Sequence, residues 1–231
     1  MNIADRIIQV TQRINKATAA YHRSQGEVQL LAVSKGRSSE EIKQAYAAGL
    51  SDFGESYLQE ALIKIKTLTT LPICWHFIGP IQSNKSHSIA NNFSWVHSVC
   101  RHKIAQQLND ARPTSMARLN ICLQINFDDE DTKAGIEPHN AAELASSILQ
   151  LPRLHLRGLM VIPKPQTDEQ QQYLSFLRLT QLLHALNQQL NLSMDTLSMG
   201  MSNDLQAAIR AGSTMVRIGT AIFGDRTKGS S

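Results

Sequence analysis

Lys35 ends the apolar run 28–34, and a primary amine at the end of a buried strand is placed to condense with a carbonyl group as a Schiff base. Two further segments carry groups suited to an anion. In Ser198-Met199-Gly200-Met201-Ser202-Asn203-Asp204, the glycine allows close backbone approach. Ser202 has the type and place to cap a following helix, whose free amides attract negative charge. In Val216-Arg217-Ile218-Gly219-Thr220, Gly219 and Thr220 can present backbone amides and a hydroxyl to the same anion. Each group has an ordinary alternative: a lysine that snorkels to solvent, a serine that only caps, a glycine that only packs, an arginine paired at a surface. Taken jointly, they favour a phosphate held near an amine.

The elements that must position these groups follow from periodicity. Residues 28–34 have the length and β-branched content of a core strand. Gly36, Ser38 and Ser39 break it before a helix over 40–48, with Ser38 and Glu41 at capping-box spacing. Further strands are expected at 50–55, 74–78, 95–99, 120–126, 154–162, 196–199 and 215–223. Helical patterns at 57–66, 85–91, 101–109, 138–149, 167–190 and 203–211 separate them. Strands alternating with helices run parallel, and eight of them close a barrel, so the expected fold is α/β, a single (β/α)8 TIM barrel. A doubly wound open sheet is the competing architecture. Ile3, Ile7, Val10, Ile14 and Ala17 mark an additional N-terminal helix within 1–24, expected to cover one end of the barrel. The whole of 1–231 reads as one domain with a flexible tail at 227–231.

Barrel closure sets strand eight beside strand one, which brings Lys35 to the mouth that holds the phosphate groups. An amine next to a phosphate site suits an aldehyde-bearing phosphate, and pyridoxal 5'-phosphate (PLP) satisfies both demands. Strand alternation puts Arg217 and Gly219 on one face and Val216 and Ile218 on the other, so Arg217 can point toward the ring. A permanently cationic donor at the pyridine nitrogen would keep that nitrogen unprotonated and make the ring a weak electron sink.

Composition narrows the classes further. Hydrophobic residues are 42% and charged residues 18%, an ordinary globular balance. The formal charge of +4 is spread along the chain without basic clusters, which argues against a nucleic-acid surface and for an anionic small molecule. Cys74, Cys100 and Cys122 are odd in number and form no CxxC pair, so a reducing compartment is expected and no disulfide framework. The histidines lack close ligand spacing and the acidic run 128–131 lacks the EF-hand pattern, so no structural metal is expected. No stretch has the length of a membrane span or a signal-peptide core, and a cytoplasmic protein is expected.

Several stretches together resemble the pyridoxal-phosphate homeostasis proteins over nearly the whole chain. They are Ala32-Val33-Ser34-Lys35, Asp52-Phe53-Gly54-Glu55, Trp75-His76-Phe77-Ile78-Gly79-Pro80-Ile81-Gln82-Ser83-Asn84-Lys85, Leu156-Arg157-Gly158-Leu159-Met160, Leu197 to Ser202, and Val216 to Gly224. The resemblance implies an alanine-racemase-like barrel with Lys35 holding PLP as an internal aldimine. It also implies that Ser202, Gly219 and Thr220 bind the phosphate and that Arg217 is the partner of the pyridine nitrogen. Asn84, Lys85, His76 and Met201 are further candidates for the pocket, His76 by ring contact; a capping asparagine, a solvated lysine and a satisfied strand histidine are the alternatives. The chain departs from the family in having Ser56 where asparagine is usual and Gly36-Arg37 where Thr-Lys is common, which removes a secondary lysine.

The resemblance implies a protein that binds PLP and related B6 vitamers and maintains their supply, with PLP-requiring apoenzymes as possible recipients. Two alternatives stand beside it: a PLP-dependent racemase or decarboxylase, and a Schiff-base aldolase on a sugar phosphate. Racemisation needs a second proton-transfer group, and Tyr21, Tyr46, Tyr57 and Tyr173 all fall in or beside helices, so robust catalysis is not expected. A closed barrel without an extra apolar segment favours a monomer.

Overall fold

The structure is a computed structural model that describes residues 1–127 and 134–225. The acidic run 128–131 and the tail 227–231 lie outside the described residues. Eight parallel strands close in chain order: β1 (Gln29–Val33), β2 (Asp52–Glu55), β3 (Cys74–Phe77), β4 (Trp95–Val99), β5 (Leu119–Gln124), β6 (Leu154–Met160), β7 (Thr196–Ser198) and β8 (Met215–Ile218). β8 pairs with β1, setting Arg217 beside Leu31 and Ile218 beside Ala32. The outer layer comprises α1 (Ile3–Ala20), α2 (Ser39–Ala47), α3 (Leu58–Thr67), α4 (Ser86–Asn92), α5 (His102–Ala111), α6 (Ala141–Ile148), α7 (Glu169–Leu190), α8 (Leu205–Arg210) and α9 (Thr220–Phe223).

Two-residue alternation divides the strands between two cores. Phe53, Phe77, Val96, Ile121, Leu159, Val216 and Ile218 are buried in one continuous apolar cluster with helix residues such as Ile42, Leu108 and Leu183. Inside the barrel, Trp95, Cys122 and Met160 form a separate small cluster, and polar side chains fill much of the remaining interior. At β6, a Cβ on Gly158 would lie 1.8 Å from the Thr196 carbonyl oxygen, so glycine is what lets β6 approach β7.

Two expectations from sequence need correction. The last strand ends at Ile218 rather than continuing to residue 223, because its β1 partners stop at Ala32 and a longer strand would leave the barrel unpaired. The chain instead turns at Gly219, whose carbonyl accepts from Ile222 N and Phe223 N, and forms the single helical turn α9. The N-terminal helix does not cover a barrel end. α1 packs on the flank against α2, α8 and α9, burying Ile3, Ile7, Val10, Ile14 and Ala17. Because α9 is one turn long, α1 occupies the outer-layer space that a full eighth crossover helix would take.

A buried ionic cluster fixes the backbone around Lys35. Lys64 Nζ, on α3, donates to the Ser34 carbonyl at 2.7 Å and to Glu55 Oε1 at 2.7 Å, and pairs with Glu60. Ser34 Oγ donates to Glu55 Oε1 at 2.6 Å, and Gly36 N donates to Glu60 Oε1 at 2.6 Å. Both neighbours of Lys35 are thus tied to α3. Burial pushes the Glu55 carboxyl above its ordinary pKa, against the opposing pull of Lys64. Removing one partner of such a pair strands the other as an uncompensated charge, so Lys64→Met is expected to cost about 3–5 kcal/mol in urea unfolding at neutral pH. The double variant Glu55→Gln/Lys64→Met should recover a large part of that loss, and a double-variant loss equal to the sum of the two single losses would show that the pair does not act as a unit.

Candidate functional site

The carboxyl ends of the strands open on a cavity of about 720 Å³, lined by Lys35 from the end of β1 and Arg217 from β8. The turn after β7 contributes Met201, Ser202 and Asp204, and the turn after β8 contributes Gly219 and Thr220. Arg13 of α1 and Arg37 reach the same space, so four cationic side chains, Arg13, Lys35, Arg37 and Arg217, face one carboxylate, Asp204. The field in the cavity favours an anion.

Local backbone geometry explains how the two turns reach the cavity. Gly200 has φ +95, and a Cβ there would lie 2.5 Å from that of Ala208, so the turn after β7 requires glycine. Gly200 O accepts from Arg217 N at 3.0 Å, joining this turn to β8. Ser202 is not the helix cap expected from its sequence position. α8 starts at Leu205, and Asp204 Oδ1 accepts instead from Met201 N at 2.6 Å. Ser202 is therefore released to line the cavity, while its carbonyl accepts from Arg13 Nη2 at 2.9 Å. Burial raises the Asp204 carboxyl above its ordinary pKa, opposed by the Met201 amide and the charge of Arg217. At the other turn, a Cβ on Gly219 would come within 3.3 Å of the Val33 carbonyl oxygen, so glycine keeps the ends of β1 and β8 close.

Arg217 is 5% exposed and points into the barrel. Its Nη1 donates to Ser198 O at 2.5 Å and Ser198 Oγ at 2.9 Å, and its Nη2 donates to Val161 O at 2.9 Å. Burial draws its pKa down to about 10, partly offset by Asp204, which leaves the group cationic at neutral pH. Ser198 and the β6 terminus therefore fix a charged, planar donor at the cavity floor.

The remaining candidates separate. Met201 lines the cavity and is 41% exposed. Asn84 is exposed in the 3-10 turn Ser83–Lys85 and does not line the cavity. His76 also lies outside the lining: it is buried in the barrel interior between Asp52 and His97. Ser56, where the sequence departs from the resembled family, does line the cavity. Sequence reading missed the cavity roles of Arg13, Arg37 and Asp204. In sequence Arg13 is one of several basic residues on an amphipathic helix, and only the packing of α1 against α8 and α9 distinguishes it. Arg37 donates to Phe223 O, Gly224 O and Asp225 O, tying the turn after β1 to the segment after α9.

An amine, hydroxyls, a cluster of cations and one rigid guanidinium in a single cavity match the donor needs of a phosphorylated heteroaromatic aldehyde. The family described as alanine racemase, N-terminal domain, matches residues 9–227. A pyridoxal phosphate homeostasis protein of Pseudomonas aeruginosa is 53% identical over 228 residues, covering 99% of this chain and 97% of that protein. The protein of the same name from Escherichia coli K12 is 46% identical, with 97% of each chain covered. Among solved structures, PipY of Synechococcus elongatus with PLP bound matches at TM-score 0.86 and 33% identity, covering 96% of this chain and 100% of that one. Alanine racemase of Corynebacterium glutamicum matches in fold at TM-score 0.69 and 17% identity, with 66% of its length covered. Matched over nearly its full length at 46–53% identity to these relatives, the chain belongs to the pyridoxal phosphate homeostasis proteins, within the alanine racemase N-terminal-domain family.

Proposed function

We propose that this protein binds PLP at the cavity, covalently through Lys35, and serves to hold and release the cofactor in the homeostasis of B6 vitamers. The observation that carries this reading is the convergence of Lys35, Arg217, Ser202, Gly219 and Thr220 on one cation-rich cavity. The Lys35 amine condenses with the cofactor aldehyde with loss of one water. Ser202, Gly219 and Thr220 receive the 5'-phosphate, and Arg13 adds charge beside Ser202. Arg217 meets the ring nitrogen as a cation that does not give up its proton, which restrains the electron-sink chemistry PLP supplies when bound. PLP-requiring apoenzymes are the recipients this reading names.

A holding role also accords with what lines the cavity. Among the described lining residues there is no tyrosine, histidine or cysteine, and the one carboxylate, Asp204, is engaged with the Met201 amide. The described lining thus supplies no free second base opposite Lys35 for two-base proton exchange. We place the protein in the cytoplasm as a monomer; its three cysteines are unpaired, as a reducing compartment requires. No helix among the described residues is long and apolar enough to cross a membrane.

Titration of the purified protein with PLP is expected to develop a visible absorption band that borohydride abolishes, and Lys35→Ala should develop none. A parent protein that stays colourless at saturating PLP overturns the assignment. Arg217→Glu should shift the band and weaken PLP retention, whereas an unchanged spectrum would count against contact with the ring. The PLP-loaded protein incubated with L-alanine should show no isomer exchange above free PLP, and rapid formation of D-alanine would contradict the holding role.

A further inference from the structure

Behind the cavity, polar side chains from five strands form a file through the barrel toward its opposite mouth. Arg217 Nη1 lies 2.9 Å from Ser198 Oγ, which lies 2.8 Å from His97 Nδ1. His97 Nε2 lies 3.0 Å from His76 Nδ1, and His76 Nε2 lies 3.0 Å from Asp52 Oδ1. Ser198, His97 and His76 are fully buried, while the Asp52 side chain is 18% exposed. Trp95 stacks on the His76 ring with centroids 5.5 Å apart and planes 7° from parallel, which holds the imidazole in this orientation.

The proton positions along this file follow from its ends. Burial alone would raise the Asp52 carboxyl, but hydrogen bonds from His76 and Ser51 outweigh it and keep the group an ionised acceptor. Burial lowers the pKa of His76 and depresses that of His97 strongly, so both imidazoles are neutral, each with one donor and one acceptor nitrogen. Asp52 can only accept, so His76 carries its proton on Nε2 and accepts at Nδ1. His97 must then donate from Nε2 and accept at Nδ1, and the Ser198 hydroxyl must donate to His97. The Ser198 oxygen is left with its lone pairs toward Arg217. Every bond in the file points toward Asp52. Cys74 Sγ lies 3.4 Å from His76 Nε2, but burial and the neighbouring Asp52 charge push this thiol up to about 12, so it does not compete as an anionic acceptor.

Without an acceptor at position 52 the order can reverse. His76 would donate from Nδ1 to His97 and His97 would donate to Ser198, so the Ser198 hydroxyl hydrogen would turn away from His97 and its oxygen would divide its acceptor capacity between His97 and Arg217 Nη1. We propose that Asp52 is a positioning residue for Arg217, acting from the far mouth of the barrel by setting the tautomers of His76 and His97 and the orientation of the Ser198 hydroxyl. This deepens the proposed function and rests on Arg217 being the residue that meets the cofactor ring. Arg217 donates to the backbone carbonyls of Ser198 and Val161 and to Ser198 Oγ, and the last of these three bonds is the one the file controls.

Nitrogen-15 NMR of histidine- and arginine-labelled protein without PLP tests the relay separately from cofactor binding. The parent should show His76 and His97 as neutral Nε2–H tautomers. Asp52→Asn, whose amide oxygen accepts the same hydrogen bond, should preserve them. Asp52→Leu should move both histidines away from the Nε2–H form and shift the Arg217 Nε–H resonance, which is identified by its loss in Arg217→Lys. Ser198→Ala should shift the Arg217 resonance while leaving His76 on Nε2–H, which keeps the test decisive if Asp52→Leu does not fold. Unmoved tautomers in Asp52→Leu, or an Arg217 resonance indifferent to both Asp52→Leu and Ser198→Ala, would overturn the proposal. In PLP titrations, Asp52→Leu should retain the cofactor about ten-fold more weakly, the weight of one hydrogen bond to a charged group, with Asp52→Asn at parent affinity. Parent affinity in Asp52→Leu would overturn the link to the cavity, whereas absence of PLP binding in the parent would overturn the proposed function and leave the NMR result standing.

Discussion

The parallel pairing of β8 with β1 is the constraint on which the remaining arrangement depends. It places Arg217 beside Leu31 and Ile218 beside Ala32, across a sequence separation that spans most of the chain. Lys35 follows β1 by two residues and Gly219 follows β8 directly, so one ladder brings the lysine, the guanidinium and the turn after β8 to the same mouth. Closure also removes the sheet edges, leaving the strand ends and their turns as the places where unpaired backbone groups can meet a ligand. α1 reinforces the seam from outside, and Arg13 carries that packing into the cavity.

Polar side chains occupy much of the barrel interior. A core of this size could be filled by branched aliphatic residues, yet β2, β3, β4, β7 and β8 contribute Asp52, His76, His97, Ser198 and Arg217. Such a network is tolerable only when its members satisfy one another, since an unpaired buried polar group costs about 1–3 kcal/mol. The directed file from Arg217 to Asp52 meets that condition. A second polar system, joining Ser34, Glu55, Lys64, Glu60 and Gly36, grips the chain on both sides of Lys35. The two systems hold the backbone on either side of Lys35 and the Arg217 guanidinium through separate sets of partners.

Sequence periodicity reveals the barrel well because each strand combines a short β-rich run with a helix of the opposite period. Trp95–Val99 is recovered to the residue for that reason. The overextended final strand shows the limit: Ala221, Ile222 and Phe223 have strand-like composition, and only the absence of a β1 partner beyond Ala32 turns them into a helix. Lys35, Arg217 and the two cavity-lining turns after β7 and β8 are legible because their residue types are chemically distinctive at strand ends. Glu60 and Lys64 are not, since on α3 they have the spacing of any solvated i, i+4 pair, and their burial against Ser34 exists only after β1 and α3 pack. His76 reads in sequence as a candidate ring contact, but its position below the cavity assigns it to the file behind Arg217, which no local spacing discloses.

Reduction of the PLP-saturated protein with borohydride, followed by mass-spectrometric mapping of the modified peptide, identifies the amine to which PLP attaches. One stoichiometric phosphopyridoxyl group is expected on the peptide containing Lys35, and none when inorganic phosphate at high concentration blocks the site. Stoichiometric modification of another lysine with Lys35 untouched would contradict attachment at Lys35.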